Sequence, residues 1–239
     1  MKIIVANLKM NFDLPENIIY QKALDKIVEP KDEIIICPSY PFLNFYNNQN
    51  YSLGCQNVSE YSKGPYTGEV SARDLASLDV EYCLVGHSDR RNNFLEDDTI
   101  IANKINVLLE NGITPILCFG ENKEEKNIKK ITTIIQKQLL EIFNRLSPEK
   151  CSKLILAYEP VWAIGSGKVI DINVLKEIVD FIKNYTSKYY HFESKVLYGG
   201  SVTEFNIHNL NSIINLDGYL ISSAALNPKA FSSIIANCR

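Results

Sequence analysis

The sequence predicts an α/β protein folded as a single (β/α)8 barrel over residues 1–239. Three observations carry that reading. Eight short apolar, β-prone runs recur along the chain, and helical patterns fall between many of them. Strands that alternate with helices imply a parallel sheet, because parallel neighbours need crossover connections. Eight such units in 239 residues match the size of a closed barrel. An open doubly wound sheet is the alternative, and it would carry a glycine-rich fingerprint after the first strand. Asn7-Leu8-Lys9-Met10-Asn11 contains no glycine, which counts against it.

In chain order the strand-like runs are Ile3–Ala6, Ile34–Cys37, Ser52–Cys55, Tyr82–Val85, Thr114–Phe119, Leu154–Tyr158, Val196–Tyr198 and Gly218–Ile221. Each is short and nearly all apolar, as strands buried on both faces are. Glu16–Val28 reads as a helix. So does Glu124–Phe143, where Ile128, Ile131, Ile135, Leu139 and Ile142 form one face. Asp171 caps a third helix, with Val174, Leu175, Ile178, Phe181 and Ile182 at helical spacing. Asn227-Pro228 opens the last, with Asn227 as cap and Pro228 at the first helical position. No Pro/Gly/Ser-rich linker or low-complexity tract divides the chain, so one domain is expected.

A formal net charge of −3 offers no electrostatic footprint for nucleic acid or a membrane surface. No apolar run approaches the roughly 18 residues of a membrane helix. The N-terminal Met1–Asn7 is soon interrupted by Asn7 and Lys9, and reads as a first strand rather than a signal peptide. The six cysteines, Cys37, Cys55, Cys83, Cys118, Cys151 and Cys238, form no C-x-x-C pair. They read as small buried hydrophobes in a reducing, cytoplasmic setting.

The chemistry gathers at strand ends. Glu159 ends the sixth strand, and Pro160 after it cannot continue a ladder. The segment Val161–Lys168 then reads as a loop or lid, with Gly165 and Gly167 supplying conformational freedom. A carboxylate there, in partly dry surroundings, is set up as a general base. A barrel brings all strand C-termini to one face, so Asn7, Lys9, His87, Ser201, Ser222 and Ser223 would meet Glu159. Each has a plainer reading alone: Lys9 as a solvated cation, Asn7 as a turn former, Glu159 as a helix cap, His87 as a satisfied core group. His87 precedes a turn into a helix, whose N-terminus would disfavour imidazolium. His191 and His208 read as surface residues. The glycine pair of Tyr198-Gly199-Gly200-Ser201 lets backbone N–H groups approach an anion.

These motifs resemble one family from end to end. Asn7-Leu8-Lys9, Gln56-Asn57, Gly64–Glu69, Gly86-His87-Ser88-Asp89-Arg90-Arg91, Cys118–Glu121, Ala157–Lys168, Tyr198–Ser201 and Asp217–Leu220 come in the order and spacing of triosephosphate isomerases. The resemblance implies a TIM barrel that interconverts dihydroxyacetone phosphate and glyceraldehyde 3-phosphate, in glycolysis and gluconeogenesis, with no cofactor or metal. It implies that Glu159 moves the proton and that His87, as neutral imidazole, polarises the carbonyl. Lys9 would face the oxyanion and phosphate, and Asn7 the substrate oxygens. Gly165, Ser166, Ser201, Ser222 and Ser223 would hold the phosphate. A homodimer is implied, with the Gly64–Glu69 loop inserted into the partner and Thr67 near the partner's site.

Six positions depart from the family pattern: Leu8, Pro65, Asp89, Leu95 and the pair Ser222 and Ser223, which stands where two glycines are usual. The serines predict a modestly weakened phosphate grip, because serine adds a Cβ and tolerates positive φ poorly. Asp89, one methylene shorter than the usual glutamate, predicts a longer or water-bridged ion pair with Lys9. Two other readings compete. One is another phosphate-binding barrel, such as an epimerase or a synthase of amino-acid biosynthesis. The other is a catalytically impaired scaffold, supported only by the two serines.

Overall fold

The computed structural model describes residues 2–29, 33–47, 50–125, 127–164 and 168–239. Its eight strands are β1 (Ile3–Asn7), β2 (Ile34–Cys37), β3 (Ser52–Cys55), β4 (Tyr82–Val85), β5 (Thr114–Phe119), β6 (Ile155–Tyr158), β7 (Lys195–Tyr198) and β8 (Gly218–Ile221). They form a closed barrel in sequence order. Every neighbouring pair is parallel, and closure comes from β1 against β8 with Ile3 opposite Gly218 and Ala6 opposite Ile221. Among the described residues the α-helices are α1 (Leu14–Ile27), α2 (Ala72–Ala76), α3 (Ser88–Asn93), α4 (Asp98–Glu110), α5 (Ile128–Phe143), α6 (Pro148–Cys151), α7 (Ile172–Tyr190), α8 (Ile207–Leu210) and α9 (Pro228–Cys238).

Strand alternation divides the apolar residues into two cores. Ile3, Val5, Ile35, Cys37, Leu84, Ile116, Cys118, Ile155, Ala157, Leu197 and Leu220 pack together inside the barrel. Their neighbours, such as Ile4, Ile36, Val85, Leu117, Leu156 and Val196, pack outward with Leu24, Ile105, Ile135, Ile178 and Ile234 of the helices. Two buried faces explain why the strands read as continuous apolar runs. All six cysteines are free and buried.

The caps follow the sequence. Asp13 opens α1 through a capping box with Glu16. The Asp171 carboxylate accepts from Asn173 and Val174 N–H, and the Asn227 side-chain oxygen from Lys229 and Ala230 N–H ahead of Pro228. Several boundaries shift: α1 covers Leu14–Ile27 where Glu16–Val28 was expected, three strand ends move by one residue, and the helix expected from Glu124 begins at Ile128. Asn127 caps it by accepting from Lys129 N–H, so the helix begins four residues inside the expected start. Among the described residues no helix is long and apolar enough to cross a membrane.

Candidate active site

The same alternation decides what lines the barrel mouth. Continuing the inward parity of β1, β4, β5, β6, β7 and β8 by one step brings Asn7, Gly86, Gly120, Glu159, Gly199 and Ser222 to the top interior layer. Three of these six are glycines, and two of them, Gly199 and Gly120, lie against Glu159 where a side chain would collide with it. A Cβ on Gly199 would sit 2.8 Å from Glu159 Cγ, and one on Gly120 only 1.9 Å from the Glu159 carbonyl oxygen. A cleft of about 210 Å³ opens above this layer, lined by Asn7, Lys9, His87, Glu159, Ser201, Ser222 and Ser223 among others. The structure therefore brings together seven of the residues singled out from the sequence. Thr67 is exposed on its loop and lines no part of this cleft. Gly165 and Ser166 lie outside the described residues.

Glu159 is 2% exposed. Its Oε2 accepts from the Ser88 backbone N–H at 3.2 Å, at the start of α3, and its Oε1 lies 3.3 Å from His87 Nε2. Burial pushes the Glu159 carboxyl above its ordinary 4.5, against the opposing pull of His87, the Ser88 N–H and Lys9. A base with raised proton affinity, still partly charge-compensated, suits proton abstraction near neutral pH.

His87 is the N-cap of α3, so its own ring takes the place of the usual capping oxygen. Nδ1 accepts the Asp89 backbone N–H at 3.1 Å. A nitrogen that accepts an N–H carries a lone pair, so the ring is neutral and its proton sits on Nε2. That N–H faces Glu159 and the cleft, where it can donate to a substrate oxygen. The helix start acts on the ring directly, through one amide, and α3 needs only six residues to do it.

Lys9 pairs with Asp89, Nζ to Oδ2 at 2.9 Å. The expected longer or water-bridged contact is thus replaced by a direct one. Burial alone would raise the Asp89 carboxyl, but the hydrogen bond and positive charge of Lys9 hold it below 3.8. The serine pair also differs from expectation in its backbone. Ser222 has φ −117°, and neither serine adopts positive φ. Both side chains fit without left-handed strain, and their hydroxyls have no hydrogen-bond partner among the described residues. Leu95, by contrast, does hold φ 56°, in the left-handed region that glycine favours, and is 82% exposed. Leu8 is buried, as expected of a packing residue.

A family model described as triosephosphate isomerase matches residues 2–238. The chain belongs to the triosephosphate isomerase family. It is 37% identical to the triosephosphate isomerase of Colwellia psychrerythraea, over 97% of this chain and 95% of that one. It is 36% identical to that of Mycoplasmopsis pulmonis, over 98% of this chain and 96% of that one. The triosephosphate isomerase of Dictyostelium discoideum is 36% identical over 90% of this chain and 87% of its own.

Residue-by-residue reading of the sequence passed over three groups that this triosephosphate isomerase site uses. The Ser88 backbone N–H is one, and backbone donors leave no trace in a sequence. Gly120 is the second, visible only as a glycine after a strand, and Gly199, read from the sequence as part of an anion-binding turn, also makes room beside Glu159. Glu121 is the third: its buried carboxylate accepts from Tyr158 Oη at 3.0 Å and from Trp162 Nε1 at 2.8 Å. Burial raises the Glu121 carboxyl, and those two donors pull the other way. Glu121 thereby ties the start of the Val161–Lys168 segment to β6. Among the described residues no group of three or more His, Cys, Asp or Glu side chains is placed to hold a metal ion.

Proposed function

We propose that this chain interconverts dihydroxyacetone phosphate and glyceraldehyde 3-phosphate, in glycolysis and gluconeogenesis, by proton transfer through an enediolate. The observation that carries the reading is the pairing of a buried Glu159 with a neutral His87 whose Nε2–H faces it at 3.3 Å. Glu159 removes a proton from one carbon and returns it to its neighbour. His87 donates to the carbonyl oxygen and, as that oxygen gains charge, helps carry protons between the two oxygens. Lys9 supplies positive charge toward the oxyanion. Asn7, 4% exposed, fixes the substrate oxygens. Preorganised donors in a dry site stabilise such an intermediate by several kcal/mol.

The phosphate lies toward Ser201, Ser222 and Ser223, with Gly165 and Ser166 completing the grip from the lid. The Val161–Lys168 lid keeps water from the enediolate, which would otherwise lose phosphate. No cofactor or metal enters this reaction scheme.

We further propose a homodimer in the cytoplasm. Met10, Phe94 and Leu95 are 94%, 61% and 82% exposed. They sit on loops at the β1 and β4 ends, and Tyr66 and Thr67 lie on the exposed loop after β3. Apolar side chains in that number support a partner surface, here a second copy of this chain.

A coupled assay with glyceraldehyde 3-phosphate tests the reading. Turnover that collapses in Glu159→Gln supports it. A folded wild-type chain that binds inorganic phosphate without turnover overturns it, and leaves the scaffold reading.

A further inference from the structure

Lys9 holds φ 50°. The left-handed region costs a residue with a Cβ roughly 1–2 kcal/mol, so it persists only where neighbours impose it. Among the described residues three others outside glycine share it: Asp79 in a turn, Leu95 in the irregular segment after α3, and His191 at the end of α7. Lys9 alone of the four lines the cleft.

Its peptide is gripped from three strand ends. The Lys9 N–H donates to Asn7 Oδ1 at 3.1 Å, within β1's own turn. The Lys9 carbonyl accepts two side-chain donors: Ser39 Oγ at 2.9 Å, just past β2, and Gln56 Nε2 at 2.9 Å, just past β3. The second N–H of the same Gln56 amide reaches the Cys37 carbonyl at 3.0 Å, and Cys37 also accepts the Leu8 N–H at 3.1 Å. Asn11 Nδ2 braces the Leu8 carbonyl at 2.8 Å.

We propose that Gln56, assisted by Ser39, is a positioning residue that forces Lys9 into its left-handed backbone and so aims the ammonium into the cleft. The argument rests on the reading of Lys9 as a participant in the isomerisation. A primary amide is the side chain that fits here. It offers one N–H to each of two carbonyls, those of Lys9 and Cys37, whereas an ionised carboxylate of the same shape offers none. With both donors gone, the Lys9 carbonyl keeps only Ser39. The strain then relaxes by rotating φ and ψ, which swings the side chain away from Asp89 and the cleft.

The test is a double-mutant cycle in the coupled glyceraldehyde 3-phosphate assay, with folded fraction matched by circular dichroism. Gln56→Leu should lower kcat/KM about ten- to a hundredfold, the scale of a displaced charged group. Ser39→Ala should lower it less. In a Lys9→Ala background both losses should shrink to less than about twofold, because there is no ammonium left to aim. A Gln56→Leu loss of full size in that background, or none in the wild type, overturns the positioning role alone. Lys9→Ala that retains wild-type turnover overturns the reading of Lys9 itself, and the proposal with it. Should Gln56→Leu fail to fold, the isosteric Gln56→Glu carries the same expectations above the carboxyl's titration, as does Ser39→Ala.

Discussion

Glu159 serves two conflicting demands at the scale of one residue. Its burial raises its proton affinity above the ordinary 4.5, which a base needs, and the same burial penalises its charge. A carboxyl whose folded value is raised binds more protons folded than unfolded between the two values. Stability therefore falls as pH rises from 4.5 through the folded value, and the penalty is complete above it. Glu159→Gln should abolish turnover by several orders of magnitude and yet raise stability at pH 7.5 by about 1 kcal/mol, read as a higher Tm. An unchanged or lower Tm would mean that His87 and Ser88 fully compensate the charge. Wild-type kcat/KM should fall on acidification along a limb centred above pH 4.5, which a pH-rate profile measures. Ser222 gives a second test. Its negative φ removes the strain that the sequence suggested, so Ser222→Gly has nothing to relieve. Ser222→Ala should raise KM about two- to fivefold through loss of one hydroxyl donor. Ser222→Gly should do no better than alanine, and a lower KM for Gly would restore the strained reading.

Elements place these side chains by parity, and parity is what the sequence conveys best. Apolar runs of three to six residues located all eight strands, because both faces of each are buried and every residue contributes to the signal. The ends were less legible. Glu124 looked helical, but Asn127 competes for the first turn as a cap. The left-handed turn at Lys9 left no trace either, since lysine is an unlikely residue for it and the residues that impose it, Ser39 and Gln56, come 30 and 47 positions later. The β7 end shows how little tolerance the arrangement has. Gly199→Ala would bring a Cβ to 2.8 Å from Glu159 Cγ. The β7 strand is held by β6 and β8, so the Glu159 side chain must give way, and kcat should fall about a hundredfold with the barrel intact by circular dichroism. Trp162, the one tryptophan, is half-buried and anchored on Glu121 at the start of the lid segment. Adding substrate should change its emission, and Glu121→Ala should blunt that change.

At the scale of the molecule, the exposed loops of the β1, β3 and β4 ends carry the proposed dimer. Leu95 spends backbone strain on an 82% exposed leucine, which makes no sense for an isolated chain. Leu95→Gly should stabilise the monomer by relief of strain and weaken self-association, seen as a lower mass in sedimentation at micromolar concentration. Unaltered association would remove Leu95 from the interface. The barrel's closure has one more consequence, and it concerns the order in which a ribosome delivers the parts. Asn7 and Lys9 emerge first, but β1 finds one of its two neighbours only when Gly218–Ile221 is complete, and Ser222 and Ser223 follow directly behind. The cleft thus joins residues that follow the first strand to residues that follow the eighth. A nascent chain that has not yet reached Gly218 has an unpaired β1 edge and lacks Ser222 and Ser223, so the cleft cannot be complete before β8 has been delivered.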